Sequence, residues 1–310
     1  MSTSELHVVL GAGPAGRAIV DELRRLGLPT RLVSRSWTAV DDPAVDVVVA
    51  DVRDQSATAT AIAGAAVVYH AVNVPYHRQT AEMPIIADAV IGAAAEHDSS
   101  LVVLDTLYPY GTADGAHITE ESPWKATSRK GMMRAELDRR YLAAHEAGTV
   151  RVSLGRAADF FGPRVFASTL GATFFPAAIH GDPVVAFGNI DLPHSYSYVP
   201  DVAAGLVTLG RQHGASGRVW HLPTVAAVST RTIHQIVAEI LGRPVAVDVI
   251  AEPTPVGPFD SQFMNEYAEM FYQHLIAQNM VSTAFEATFD QRPTPLKDAL
   301  QSTLDWFAHL

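Results

Sequence analysis

The 310-residue chain contains no cysteine, which excludes disulfides, thiolate nucleophiles and cysteine–zinc sites together. Positive charge is the scarcer sign, with 22 Lys and Arg against 33 Asp and Glu and a net charge of −11. No basic cluster is longer than a pair such as Arg139-Arg140, which argues against a nucleic-acid partner because phosphate binding needs a basic face. Long apolar runs are missing as well: no window of about 18 uninterrupted apolar residues exists, so no membrane-spanning segment is expected. Residues 1–5 are polar and lack a basic region leading into an apolar core, so the expected location is cytoplasmic. The 13 histidines are dispersed and no His-Glu-x-x-His pattern occurs, so no metal site is expected.

What is present is the composition of a globular protein, 48% hydrophobic and 18% charged, in a chain long enough for one large α/β unit with an added lobe. Its opening is the most informative stretch. His7-Val8-Val9-Leu10 reads as a short apolar strand, Gly11-Ala12-Gly13-Pro14-Ala15-Gly16 as a glycine turn, and Arg17-Ala18-Ile19-Val20 as the start of a helix. Gly11 suits a tight turn, Gly13 lets the backbone approach a pyrophosphate, and Gly16 lets the helix pack closely on the strand. The helix N-terminus, where Pro14 and Ala15 stand, presents free N–H groups that favour the negative charge of a pyrophosphate.

Apolar runs at 7–10, 30–34, 45–50, 67–70, 101–105 and 150–154 alternate with helical patterns at 17–26, 57–63, 83–97 and 131–147. That alternation predicts βαβ units in a doubly wound parallel sheet, a Rossmann-type α/β fold, with ligands outside the carboxyl ends of the strands. Beyond residue 161 prolines interrupt the pattern. Helix-like runs follow at 232–241, 259–278 and from about 295 to the end, with a strand at 245–250. The expected division is a dinucleotide-binding domain over 1–160, with 190–225 returning to it, and a substrate lobe from 161–190 and 226–310.

The second strand ends in Ser34-Arg35-Ser36, where an NAD-binding fold usually carries an acidic residue. An arginine there suits a 2′-phosphate, which a carboxylate would repel, so the expected cofactor is NADP. The alternative for Arg35 is a solvated loop residue. Asp51 and Val52, after the third strand, are candidates for the adenine edge, or Asp51 is a helix cap.

These features resemble the atypical or extended short-chain dehydrogenases/reductases, similar to the NAD-dependent epimerase/dehydratase family. The resemblance rests on the glycine turn, Val67-Val68-Tyr69-His70-Ala71, Leu104-Asp105-Thr106-Leu107-Tyr108-Pro109-Tyr110-Gly111, Arg156 through Gly162-Pro163, and Tyr198-Val199-Pro200-Asp201-Val202-Ala203. It implies that Ala71 and Asn73 border the cofactor, that Thr106 hydrogen-bonds a substrate oxygen, and that a homodimer is plausible. It also implies a Tyr-x-x-x-Lys pair early in the long helix, where this chain has Lys130 and Arg134 instead. Arg134 still supplies charge to a ribose or a developing oxyanion but does not titrate near neutrality. Lys130 then becomes the expected proton donor, with Tyr108 as an alternative, and the contrary reading is two helix charges with Arg134 paired to Asp138. The expectation is an NADP-dependent oxidoreductase acting on a small organic carbonyl, imine or activated alkene. A non-catalytic dinucleotide sensor and an epimerase or isomerase with tightly bound cofactor are the alternatives.

Overall fold

The computed structural model describes residues 5–37, 40, 42–112 and 117–310; Met1–Ser4, part of the polar start, lie outside it. Seven parallel strands form one sheet. Five are β1 (Leu6–Leu10), β2 (Thr30–Ser34), β3 (Val45–Val49), β4 (Ala65–His70) and β5 (Ser100–Thr106). Val152–Ala157 and Arg218–His221 complete it, in the order β3-β2-β1-β4-β5 and then those two. The order reverses between β1 and β4. That is the switch point at which such sheets leave a crevice above the strand ends.

Helices cover both faces, as a parallel sheet buried on both sides requires. On one face lie α2 (Gln55–Ile62), α3 (Tyr76–Glu96) and α4 (Arg129–Glu146), and their core joins Val8, Leu10, Val68, Ile86, Val90, Leu101 and Leu137. On the other, α1 (Pro14–Arg25) gathers Val9, Ile19, Leu23 and Leu32 with Val202 and Leu206. α3 begins seven residues before the expected 83, because Pro84 reads as a start signal yet sits inside the helix. The helix runs through it because the earlier turn buries Gln79 and Met83.

The later half is divided between sheet and lobe. α6 (Val199–Arg211) supplies Val202, Leu206 and Val207 to the α1 side of the core, and α9 (Thr283–Phe289) sets Phe285 and Phe289 against Trp220. So a piece of 226–310 also returns to the main body. α5 (Phe175–His180), α7 (Thr230–Leu241) and α10 (Leu296–Ala308) form the lobe core with Phe174, Phe175, Val237, Leu300 and Phe307. The helix expected over 259–278 is broken: α8 (Ser261–Tyr267) tightens into a 3₁₀ turn over Ala268–His274, followed by the strand Asn279–Met280. Met270, Phe271, Gln273 and His274 are all buried there. Among the described residues, no helix is long and apolar enough to cross a membrane.

Candidate functional site

The glycine turn is held by contacts that no other residue permits. Gly11 sits at φ +102°, and a Cβ on Gly16 would lie 1.8 Å from the Gly11 carbonyl oxygen. Gly13 caps α1 with open space beside it, and Pro14 follows at the first turn, where its missing N–H costs nothing. A cavity of about 300 Å³ opens over this turn, bordered by Gly11, Gly13, Ser34, Arg35, Asp51, Val52, Arg53, Ala71 and Asn73. Arg35 is exposed and makes no ion pair among the described residues.

Arg53 is a second cation at this cavity, one that the sequence reading did not single out. It is not free to the same degree, because its guanidinium grips Asp51, with Nη2 2.5 Å from Oδ2. That hydrogen bond holds the Asp51 carboxyl down at about 2. Asp51 is therefore engaged with Arg53; the helix cap of α2 is its neighbour Asp54, which accepts from Ser56 N and Ala57 N.

A second cavity of about 290 Å³ meets the first at Ala71, Val72 and Asn73 and runs inward beneath the lobe. Thr106, Tyr108 and Arg134 all border it, together with Pro14 and Ala15 from the start of α1. Thr106 stands at the end of β5 and accepts the Tyr108 backbone N–H. The Tyr108 and Tyr76 hydroxyls lie 2.5 Å apart. Burial pushes the Tyr108 hydroxyl well above its ordinary value, the Tyr76 hydroxyl adds to this, and the Arg134 charge pulls the other way. Both hydroxyls therefore keep their protons near neutrality.

Arg134 is buried, donates from Nη2 to Asn73 Oδ1 at 3.1 Å, and leaves Nε without a partner among the described residues. The alternative reading, in which Arg134 pairs with Asp138, does not hold. Asp138 instead joins Asp105 around the fully buried guanidinium of Arg156, with Arg156 Nε 2.6 Å from Asp105 Oδ2 and Nη2 2.5 Å from Asp138 Oδ2. Burial, then the neighbouring Asp105, pushes the Asp138 carboxyl far up. The rings of Tyr110 and Trp124 cover the same guanidinium. This group ties β5, α4 and the strand Val152–Ala157 together beneath the cavity.

The expectation that Lys130 donates a proton is corrected by its surroundings. Its side chain is 0% exposed and does not border the cavity. Nζ lies 2.7 Å from Glu266 Oε2, 2.7 Å from Glu269 Oε1 and 3.0 Å from the Glu266 carbonyl oxygen. Three donors meet three acceptors, so the ammonium has nothing left for a substrate. It clamps α4 to α8, and Glu266 and Glu269 reach it because α8 tightens just where they sit.

Three residues that the sequence kept apart also converge. Asp159, His194 and His274 offer ligand atoms within 4.8 Å of one another, the donor set of a metal site. As they stand they are hydrogen-bonded: His194 Nε2 lies 3.0 Å from Asp159 Oδ2, and His274 Nε2 lies 2.6 Å from the Tyr267 hydroxyl. Burial lowers the His274 imidazole to about 4. Asp159 borders the cavity with Gln273 and Gln278. Spacing along the chain carries no signal for this group, since its members come from three separate segments.

The glycine cradle and the unpartnered Arg134 Nε fit a dinucleotide laid along the two cavities. Known proteins agree with that reading of the fold. The model of the NAD dependent epimerase/dehydratase family matches residues 7–222. Similar solved structures include UDP-N-acetylglucosamine 4-epimerase from Bacillus cereus, with a TM-score of 0.79 and 15% identity, covering 99% of this chain and 98% of that one. DesIV, a dTDP-glucose 4,6-dehydratase from Streptomyces venezuelae with NAD and TYD bound, has a TM-score of 0.80 at 20% identity over 98% of this chain and 97% of its own. UDP-glucose 4-epimerase from Thermus thermophilus in complex with NAD gives 0.77 at 20% identity over 98% and 99%. No curated protein matches the chain. The family model spans most of the sequence and reaches all seven strands of the sheet, so this protein belongs to the NAD dependent epimerase/dehydratase family.

Proposed function

We propose that this chain is an NADP-dependent oxidoreductase that reduces a small organic carbonyl, imine or activated alkene. The observation that carries the reading is the meeting of Thr106, Tyr108 and Arg134 on one cavity that continues into the glycine cradle. A bound nicotinamide supplies the hydride, that is, the electron pair. The chain must then hold the substrate oxygen, stabilise its growing negative charge and deliver one proton.

Thr106 and Arg134 hold the oxygen, as fixed donors in a site shielded from water do most effectively. Tyr108 gives the proton, since its hydroxyl is protonated near neutrality and lies beside both a cation and the Tyr76 hydroxyl. On release the tyrosinate is stabilised by Arg134 and accepts a hydrogen bond from Tyr76. A hydroxyl–cation pair is in this way rebuilt across space, with Tyr108 from the β5 end and Arg134 from α4 replacing the helical Tyr-x-x-x-Lys. Arg35 at the outer cavity supports the choice of NADP over NAD.

The test is NADPH consumption with a panel of small aldehydes and ketones, compared between the wild type and Tyr108→Phe. Loss of general acid catalysis lowers kcat by about a hundredfold or more with NADPH affinity unchanged; an unaltered kcat would remove Tyr108 from the mechanism. One observation favours a second reading, a dinucleotide sensor without turnover: the residue where the family's tyrosine is expected, Lys130, serves only as a clamp. NADPH binding with no turnover across the panel supports that reading. NAD that remains bound through purification supports an epimerase instead.

A further inference from the structure

The relatives with bound ligands named above work on nucleotide sugars, and the inner cavity of this chain is built for something else. Its far wall is aromatic. Tyr76 meets Phe263 at 5.2 Å and Tyr267 at 5.6 Å between ring centroids, Phe263 stacks on Tyr267 at 5.3 Å, and Phe187 and Phe259 continue the surface. Such a wall takes a flat or apolar body.

Charge points the same way. Among the described residues bordering the cavity, Arg134 is the one cation, and it stands at the mouth beside Asn73. Asp159 is a carboxylate deeper in. Lys130 and Arg129, at the start of α4, are both taken by Glu266 and Glu269. A diphosphate entering here would leave water beside a carboxylate and an aromatic wall with no cation besides Arg134 to meet it, and burying such a charge without enough counter-charge is heavily penalised. Size adds to this: about 290 Å³ must hold the reacting end of a cofactor as well as the substrate, at the low end of ligand cavities.

Three residues that border the cavity carry a buried polar atom without a partner among the described residues: Arg134 Nε, a donor, Gln278 Oε1, an acceptor, and the hydroxyl Thr169 Oγ1. An unpaired buried polar atom costs free energy until a ligand satisfies it. We infer that the cavity takes an uncharged, ring-bearing carbonyl compound that places its carbonyl oxygen toward Arg134 and Thr106 and a hydroxyl toward Gln278, and that it excludes nucleoside diphosphate sugars. This rests on the oxidoreductase reading above and names its substrate class.

The test is calorimetry in two stages. NADP is titrated first, which examines the cofactor assignment by itself; failure there overturns the reading beneath and this inference with it. On the NADP-saturated protein, where the aldehyde cannot be reduced, 4-hydroxybenzaldehyde, benzaldehyde and UDP-glucose are then compared. Expected is binding of 4-hydroxybenzaldehyde about tenfold tighter than benzaldehyde, the worth of one well-made hydrogen bond, and no measurable binding of UDP-glucose. Gln278→Leu abolishes the difference between the two aldehydes, and Phe263→Ala weakens both, while NADP affinity reports that each variant is folded. Tight UDP-glucose binding, equal affinity for the two aldehydes, or binding of neither aldehyde to the NADP complex would overturn the inference.

Discussion

The outer and inner cavities are halves of one trough, yet they are built by opposite means. The outer half comes from backbone and short local motifs: a glycine turn that only glycine fits, a strand end carrying Arg35, and Asp51 gripped by a residue two positions on. The inner half comes from side chains drawn from all along the chain. Asn73 meets Arg134, Lys130 meets Glu266 and Glu269, and Asp159 meets His194. A site made of local motifs keeps its role while the sequence around it changes. A site made of distant side chains depends on how those segments pack, as the different partners of Lys130 and Arg134 show.

The two cations of α4 sharpen the comparison most. Lys130 and Arg134 lie one turn apart and are both buried, but one is saturated by carboxylates and the other opens on the cavity. Lys130→Met leaves Glu266 and Glu269 without their counter-charge, and because those carboxylates are partly exposed the expected loss is at the lower end for a broken buried pair, about 3 kcal/mol. Urea unfolding measures it. If instead stability is kept and turnover is lost, Lys130 belongs to the chemistry after all.

At the outer half, Arg35→Ala should weaken NADPH by about ten- to a hundredfold, the worth of a charged hydrogen-bonded contact, and leave NADH almost unchanged. Titration calorimetry with both cofactors decides it. Equal weakening of the two would place Arg35 on the pyrophosphate or ribose and remove the argument for NADP. No change at all would leave Arg35 a solvated loop residue.

The most gradual effect is spread through the core. His70 is held down at about 3, and His221 and His234 at about 4, in each case chiefly by burial. These imidazoles stay neutral in the folded chain while the unfolded chain takes up protons below about 6.5. The unfolded state therefore binds more protons as pH falls from 6.5 towards 4, and stability is lost through that window, on the order of 1 kcal/mol per pH unit for each histidine. Above 6.5 the curve should be flat as far as these groups are concerned. A melting temperature that holds steady from pH 7 to 4.5 would contradict their burial as neutral groups.

Much of the fold was legible because strand and helix periodicity are local. β2 was read at its full length, and the glycine turn was found in place. The errors have local causes too. Pro84 hid the first two turns of α3, and the aromatic stretch after 259 reads as one helix because its periodicity carries no mark of the neighbours that break it. Thr106 and Tyr108 were legible as neighbours of a strand end, whereas Gln278 carried no signal, since its importance comes from an unpaired oxygen that only packing creates.

The sequence alone determined the parallel sheet, the dinucleotide cradle and the exclusion of cysteine chemistry, because each follows from residue type and short-range order. Only the tertiary structure decided which of two adjacent cations faces the cavity, which carboxylates neutralise Arg156, and where Asp159, His194 and His274 meet. Those outcomes depend on contacts between segments far apart in the chain. Charge and burial there are properties of the assembled surroundings rather than of any residue or its neighbours in sequence.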